Sequence, residues 1–135
     1  MSMSLSNHFE SLHAKLVNNR WSWGAVREDG TVFLRVWQDQ RRSINGTTFV
    51  RMTNHENYIG RTDNLGYQER LSHVQLFKNG NSAYFIMCTA RDVDERPRNV
   101  QSFDRRTLLE AGELKMIAGD QYASIVARVN CSAVR

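Results

Sequence analysis

At 135 residues the chain has the length of one domain with an ordinary hydrophobic core, so we expect a single domain over residues 1–135. Its composition, 41% hydrophobic and 24% charged, is typical of a folded protein in water, and no apolar run approaches the roughly 20 residues that span a bilayer. The two cysteines, Cys88 and Cys131, lack metal-ligand spacing and form no disulfide framework. These features favour a cytoplasmic protein with no membrane partner and no cofactor.

The net charge of +4 is carried mainly by arginine, because 15 of the 18 basic residues are Arg and 3 are Lys. All three tryptophans fall within the first 37 residues. Guanidinium groups bind phosphate and guanine through paired hydrogen bonds, and aromatic rings stack on bases. The two residue types together favour a nucleic-acid partner, although a genome rich in G and C would enrich Arg over Lys in the same way.

Hydrophobic periodicity predicts two helices, over residues 7–19 and 66–79. Residues 55–65 are polar and predict a loop between the third strand and the second helix. Alternating or continuous apolar runs predict seven strands. In chain order these strands cover residues 21–26, 31–37, 47–52, 82–90, 100–103, 113–118 and 122–129.

Two dipeptides, Asp29-Gly30 and Asn45-Gly46, are typical of tight turns between neighbouring antiparallel strands. The predicted strand over 82–90 is apolar on both faces, which indicates a central strand covered on both sides. Two helices with strands joined mainly by hairpins predict an α+β fold. We expect a curved, mostly antiparallel sheet, or a partly closed β-barrel, with two helices.

The tryptophans supply one candidate base-binding site. Trp21 and Trp23 are two residues apart, so on a strand they share a face, and Trp37 lies across the first hairpin. Three rings arranged in this way would hold an extruded base by stacking, with Asp39 or Arg35 hydrogen-bonded to its edge. The alternative is that the rings fill the core, because a tryptophan buries a large apolar area.

The arginines supply candidate phosphate contacts, since side chains in loops and at strand ends can reach a nucleic-acid backbone. The Arg41-Arg42 doublet has no acidic neighbour after Asp39 and is the better candidate. By contrast, Arg96 and Arg98 lie among acidic residues and are interpreted as a solvated surface of mixed charge. We therefore assign the phosphate contacts to four arginines: Arg41, Arg42, Arg61 and Arg105.

One stretch of the chain resembles the core of GIY-YIG nucleases. It reads TTFVRMTNHENYIGRTDNLGYQERLSHVQL, in which YIG at residues 58–60 matches the second half of the name motif. The resemblance implies that Tyr58, Arg70 and His73 take part in metal-dependent cleavage of a phosphodiester. The chain departs from the family pattern at Phe49, where the first half of the motif would end in tyrosine, and in the absence of an evident metal-binding glutamate.

Several segments together resemble a second family. They are RVWQDQRR, NLGYQERLSHVQLFKNG, AYFIMCTARD and RPRNVQSFD, and the likeness extends over most of residues 20–128. These segments look like the recognition domains that precede HNH nuclease domains in bacterial modification-dependent restriction systems. Such readers often have a PUA-like fold, as EVE and ASCH domains do. The resemblance implies a PUA-like β-barrel that recognises modified or flipped DNA bases and works with a nuclease partner.

The leading hypothesis is therefore a nucleic-acid-binding module, for DNA rather than RNA, without catalytic residues of its own. Two alternatives belong to other classes of protein: a GIY-YIG-like metal-dependent nuclease, and a protein-interaction domain with no nucleic-acid role. The four histidines lack the spacing of metal ligands, so we predict no metal site.

Overall fold

The computed structural model describes residues 4–54, 64–95 and 98–135. Within them the chain forms three α-helices, a one-turn 3-10 helix over Gln38–Gln40, and eight strands. The helices are α1 (Leu5–Ser11), α2 (Leu65–Lys78) and α3 (Cys131–Val134). The strands are β1 (Gly24–Val26), β2 (Val32–Trp37), β3 (Arg41–Ile44), β4 (Thr47–Arg51), β5 (Ala83–Ala90), β6 (Val100–Phe103), β7 (Thr107–Ile117) and β8 (Asp120–Asn130).

The strands form one sheet with the hydrogen-bonded order β1-β2-β5-β7-β8-β4-β3, and β6 pairs with the last residues of β5. Strands β2 and β5 run parallel, whereas the other pairs of described strands are antiparallel. No ladder between described strands joins the end strands β1 and β3, so the sheet is open. The expected α+β class with a mostly antiparallel sheet is confirmed, with three helices instead of two and without closure into a barrel.

The tight turns follow directly from local sequence. Asn45 and Gly46 both have positive φ, 51° and 81°, which is the backbone of a type I′ turn, and they join β3 to β4. Ala118 and Gly119 have φ of 51° and 86° and join β7 to β8 in the same way. The expected hairpin at Asp29-Gly30 is also confirmed, because β1 pairs antiparallel with β2 around it.

The first helix is shorter than the sequence predicts. It covers Leu5–Ser11 and not residues 7–19. His13 has a left-handed backbone with φ of 61°, and the amide of Ala14 donates a hydrogen bond to the carbonyl of Phe9, at 3.0 Å, which closes the helix. The apolar spacing that suggested more helix is explained by burial, since Leu12, Ala14 and Leu16 lie in the core outside any helix.

The largest differences among the strands concern β1, β3 and β7. Strand β1 begins at Gly24 instead of residue 21. Strand β3 was not predicted, because its sequence RRSI is largely exposed at the edge of the sheet and shows no apolar alternation. Strand β7 begins six residues earlier than expected, at Thr107, since irregular pairing between Glu110 and Leu114 interrupts the two-residue period.

The sheet is covered on both faces over its centre. On one face Phe33, Ile86 and Leu108 pack with Phe9 of α1 and Cys131 of α3; we call this cluster the α1-side core. On the other face the buried residues, Val74 of α2 among them, form the α2-side core. Strand β5 contributes to both clusters, which confirms its predicted central position. The other buried members of the α2-side core are Val32, Leu34, Val36, Val50, Met52, Ala83, Phe85, Leu109 and Ala123.

A buried arginine of α2 connects parts of the sheet that do not pair with each other. Nη1 of Arg70 donates to the carbonyl of Met52, just after β4, at 3.1 Å. Its Nη2 donates to the carbonyls of Trp23, at 3.0 Å, and of Arg35 on β2, at 2.6 Å. Burial lowers the pKa of Arg70 to about 9, with a contribution from the charge of Arg35, so the guanidinium remains charged at neutral pH. The sheet therefore curves around α2, with this group as the link.

We expect Arg70→Ala to lower the free energy of unfolding by about 3 kcal/mol, because it removes three charge-assisted hydrogen bonds and leaves buried carbonyls without their donor. Arg70→Lys should also destabilise, since one ammonium cannot reproduce the planar fork. Urea unfolding followed by circular dichroism measures the change, with the exposed Lys78→Ala on the same helix as the control. Equal stabilities for the Arg70 and Lys78 variants would contradict this role.

Candidate functional site

An open cleft of about 670 Å³ lies on the face of the sheet that carries the α2-side core. Met87 and Ile125 contribute to the cleft lining and also pack against that core, and Leu109 belongs to both. Helix α2 therefore covers one part of the curved face, and the cleft occupies a part that α2 leaves open. The hydroxyl-bearing residues of the lining are Thr48, Thr89, Ser102 and Thr107.

Arg41 brings positive charge to the cleft from the first position of β3. It pairs in register with Val50, whose side chain lies in the α2-side core, so Arg41 projects from the same face. Its Nε donates to the carbonyl of Gln38 at 2.9 Å, which anchors the guanidinium at the cleft. No hydrogen bond from its terminal nitrogens to a described residue is present, so they can bind a ligand.

Arg42 projects from the opposite face of β3. It pairs with Phe49, and its guanidinium carbon lies 5.9 Å from the centre of the Tyr122 ring. Of the two arginines only Arg41 lines the cleft, and phosphate binding by the doublet stays a prediction. Side chains alternate between the two faces of a strand, so neighbouring residues cannot share one cleft.

A second arginine reaches the cleft from β8. Arg128 is 67% exposed, and its Nη1 donates to Oγ1 of Thr107 at 3.3 Å and lies 3.8 Å from Oδ2 of Asp104. Burial alone would raise the pKa of Asp104, but hydrogen bonds from Thr107 and the amide of Arg106 outweigh it and lower the pKa. Asp104 is thus ionised at neutral pH and holds Arg128 at the lining. Arg105 lies in the same turn and is exposed, outside the lining of the cleft.

Sequence reasoning missed Arg128, Asp104 and Gln38 as site residues. Arg128 looks like an ordinary exposed position of an alternating strand, and Asp104 like a turn residue. Gln38 is placed by a contact between distant segments, because Oγ1 of Thr89 on β5 donates to its Oε1 at 3.2 Å. These positions come together only because β5, β7 and β8 pair, and that pairing cannot be predicted from a local sequence pattern.

The three tryptophans do not form one pocket. Trp23 packs against Tyr67 of α2, with ring centres 6.2 Å apart, and also approaches the backbone of Gly66. Trp37 packs against the α1-side core. Trp21 is half-buried, and its carbonyl also faces Gly66. None of the three rings is part of the described cleft lining, so the expected base sandwich is not formed.

Asp39, the predicted contact to a base edge, is held by Arg98. The two side chains form a bidentate ion pair with distances of 2.7 and 2.8 Å. Only 10% of the Arg98 side chain is exposed, and its guanidinium carbon lies 5.2 Å from the centre of the Trp37 ring. The interpretation of Arg98 as solvated surface is therefore wrong, because its carboxylate partner lies across the sheet and not among its acidic neighbours in the chain.

The residues assigned to the nuclease alternative do not form an accessible site in the described part of the chain. Tyr58, and the predicted phosphate ligand Arg61, lie outside the described residues. Arg70 is buried and donates to three backbone carbonyls. His73 is also buried, and burial together with the charge of Arg70 lowers its pKa to about 4. Arg70 and His73 thus face the protein interior.

No protein-family model, curated protein or solved structure was found to match the chain. Among the described residues, no helix is long and apolar enough to cross a membrane. Within the same residues, no group of three or more His, Cys, Asp and Glu side chains could hold a metal ion. The chemistry of the cleft is therefore the main guide to function.

We expect stability to fall as the pH drops from about 6.5 to about 4, because buried His73 stays neutral in the folded protein until its own pKa of about 4. The unfolded chain takes up this proton near the ordinary histidine pKa of about 6.5, so acid favours unfolding in this window. Burial lowers the pKa of His8 as well, which acts in the same direction.

The measurement is urea unfolding at several pH values for the wild type, His73→Gln and the exposed control His13→Asn. His73→Gln should lose less stability between neutral pH and about pH 5 than the other two proteins. Parallel pH profiles for all three proteins would refute the assignment to His73.

Proposed function

We propose that the protein is a nucleic-acid-binding module that holds one nucleotide of a DNA strand in the cleft. The observation that carries the proposal is a cavity of about 670 Å³ into which two arginines of separate strands, Arg41 and Arg128, project. Binding sites for small ligands commonly measure about 300–1,000 Å³, so an extruded nucleotide fits this volume. The polar lining supplies hydrogen-bond donors, which suits a ligand rich in phosphate and carbonyl oxygens.

Each part of the cleft has a role in this proposal. The guanidinium of Arg41 binds a phosphate, because its terminal nitrogens are available for a bidentate contact. Arg128, paired with Asp104, supplies further hydrogen-bond donors at the lining, and the apolar floor around Met87 and Leu109 contacts the base. Arg105, exposed on the turn beside Asp104, supplies a contact to a neighbouring phosphate.

The biological setting is part of the same proposal. A PUA-like reader of modified or flipped bases, working with a separate nuclease in the bacterial cytoplasm, would need a cleft of this kind and no catalytic residues of its own. The concave shape of the site supports recognition of an extruded base, since a base within a duplex cannot enter a cleft. Contacts to phosphate outside the cleft would then add affinity without sequence preference.

We expect fluorescence anisotropy to show DNA binding that weakens steeply with salt, by roughly two orders of magnitude between about 50 and 200 mM for four phosphate contacts. Probes should include single-stranded DNA and a duplex with a mismatched, easily extruded base. The mismatched duplex should bind more tightly than the matched one, because extrusion of an unpaired base costs less.

The neighbouring arginines of β3 give a matched pair of variants. Arg41→Ala should weaken binding by about 1 kcal/mol, roughly fivefold, and lower the salt slope by about one unit. Arg42→Ala removes the same charge from the opposite face and should have a smaller effect. No binding by the wild type at low salt would exclude a nucleic-acid role and favour a protein-interaction domain. Equal losses from both variants would place the contact outside the cleft.

A further inference from the structure

The one-turn helix Gln38–Gln40 and the residue that follows it contribute two polar side chains to the cleft. Gln38 itself belongs to the lining, and Arg41 follows the turn directly. The turn has little intrinsic stability, because it is a single 3-10 turn and its N-terminal residue, Trp37, provides no side-chain cap. The orientation of Gln38 and Arg41 therefore depends on contacts made from outside the turn.

The middle residue of the turn, Asp39, attaches the turn to Arg98. Both of its carboxylate oxygens accept hydrogen bonds from Arg98, which lies just before β6. The planar fork of arginine matches a carboxylate in position and in angle, so this pair restricts the rotation of the turn as well as its distance from the sheet.

Arg98 is itself held in place by packing against an aromatic ring. Its guanidinium lies over Trp37, with 5.2 Å between the guanidinium carbon and the ring centre, and Trp37 packs against the α1-side core. The side chain is 10% exposed, which is low for an arginine outside the hydrophobic core. Arg98 does not belong to the described lining of the cleft, so it acts on a ligand through its contacts with the turn, and the ion pair with Asp39 is the directional one of these contacts.

We infer that Arg98 is a positioning residue for the cleft: through its ion pair with Asp39 it holds the turn so that Gln38 and Arg41 face the ligand. The inference rests on the proposed function, since the ligand is the nucleotide held by Arg41. Asp39 is 36% exposed, so solvent screens the ion pair and limits its contribution to folding. Its effect on binding is larger, because a displaced turn moves the carbonyl of Gln38 that anchors the guanidinium of Arg41.

The test is a double-mutant cycle with the same anisotropy assay and single-stranded DNA probe. Arg98→Ala and Asp39→Asn should each weaken binding about as much as Arg41→Ala, roughly fivefold, and lower the salt slope by about one unit. In the Arg41→Ala background, Arg98→Ala should add less than about a twofold loss, because the contact it positions is already absent. Asp39→Asn preserves the size of the side chain, so the inference can be tested even if Arg98→Ala folds poorly.

Two controls separate positioning from simple charge. Arg98→Lys keeps the positive charge but loses the fork, so it should bind as weakly as Arg98→Ala; wild-type affinity in this variant would overturn the inference. Arg91→Ala removes an exposed arginine that pairs with Glu95 in the segment after β5, and it should bind like the wild type.

The remaining outcomes distinguish the inference from the proposed function. Absence of DNA binding by the wild type would remove the proposed function, and the inference with it. Binding that depends on Arg41 but not on Arg98 would overturn the inference alone. Full additivity of the Arg41 and Arg98 effects would also overturn it, since independent losses mean that Arg98 does not act through Arg41.

Discussion

The architecture depends on a buried positive charge whose two terminal nitrogens donate to backbone carbonyls. Arg70 has no acidic partner at its guanidinium among the described residues, and instead donates to the carbonyls of Met52, Trp23 and Arg35. Burying a cation is costly unless its hydrogen bonds are made, so the three carbonyls must be held at one place. Trp23 and Arg35 lie on the paired segments around β1 and β2, whereas Met52 follows β4, which pairs with neither of those strands. The sheet can meet this requirement only by curving around α2.

The curvature of the sheet and the alternation of side chains along each strand determine which arginine side chains reach the cleft. The cleft receives Arg41 from β3 and Arg128 from β8, although these residues are distant in the chain. Alternation on β3 sends Arg42 to the opposite face, where it stacks near Tyr122. A local cluster of arginines in the sequence is thus divided, and a cluster in space is assembled from single residues. Charge density along the chain is consequently a poor guide to charge density at the surface.

The elements that sequence predicts well are those whose signals are local. Helix α2 lies within one residue of its predicted bounds, because Asn64 caps its amides, with 2.9 Å between its Oδ1 and the amide of Tyr67, and Gly80 follows its end with a φ of 105°. Strand β5 is recognisable because both of its faces are apolar and buried. The hairpin turn at Asn45-Gly46 is likewise encoded by two adjacent residues.

The elements and site residues that escape prediction depend on long-range contacts. Leu12 and Leu16 have the spacing of a helix but are buried in irregular chain, so periodicity alone misplaces the end of α1. The irregular pairing within β7 hides the first six residues of this strand, which pairing with β8 makes evident. Asp39 and Arg98 form their ion pair only after β5 and β6 bring the second half of the chain beside the turn that follows β2. Such a partner cannot be identified from neighbouring residues.

Contacts within the fold also account for part of the high arginine and tryptophan content. Arg27 lies 5.4 Å from the Phe33 ring centre and donates to the carbonyl of Val134 at 2.6 Å. Arg35 and Arg98 both stack near Trp37. These guanidinium groups serve internal packing, for which the planar, weakly hydrated arginine side chain suits aromatic faces better than lysine does. Much of the composition that suggests nucleic acid is therefore used to build the fold. A ligand is indicated by the smaller set of arginines at the cleft. There the terminal nitrogens of Arg41 are available as hydrogen-bond donors beside an apolar floor.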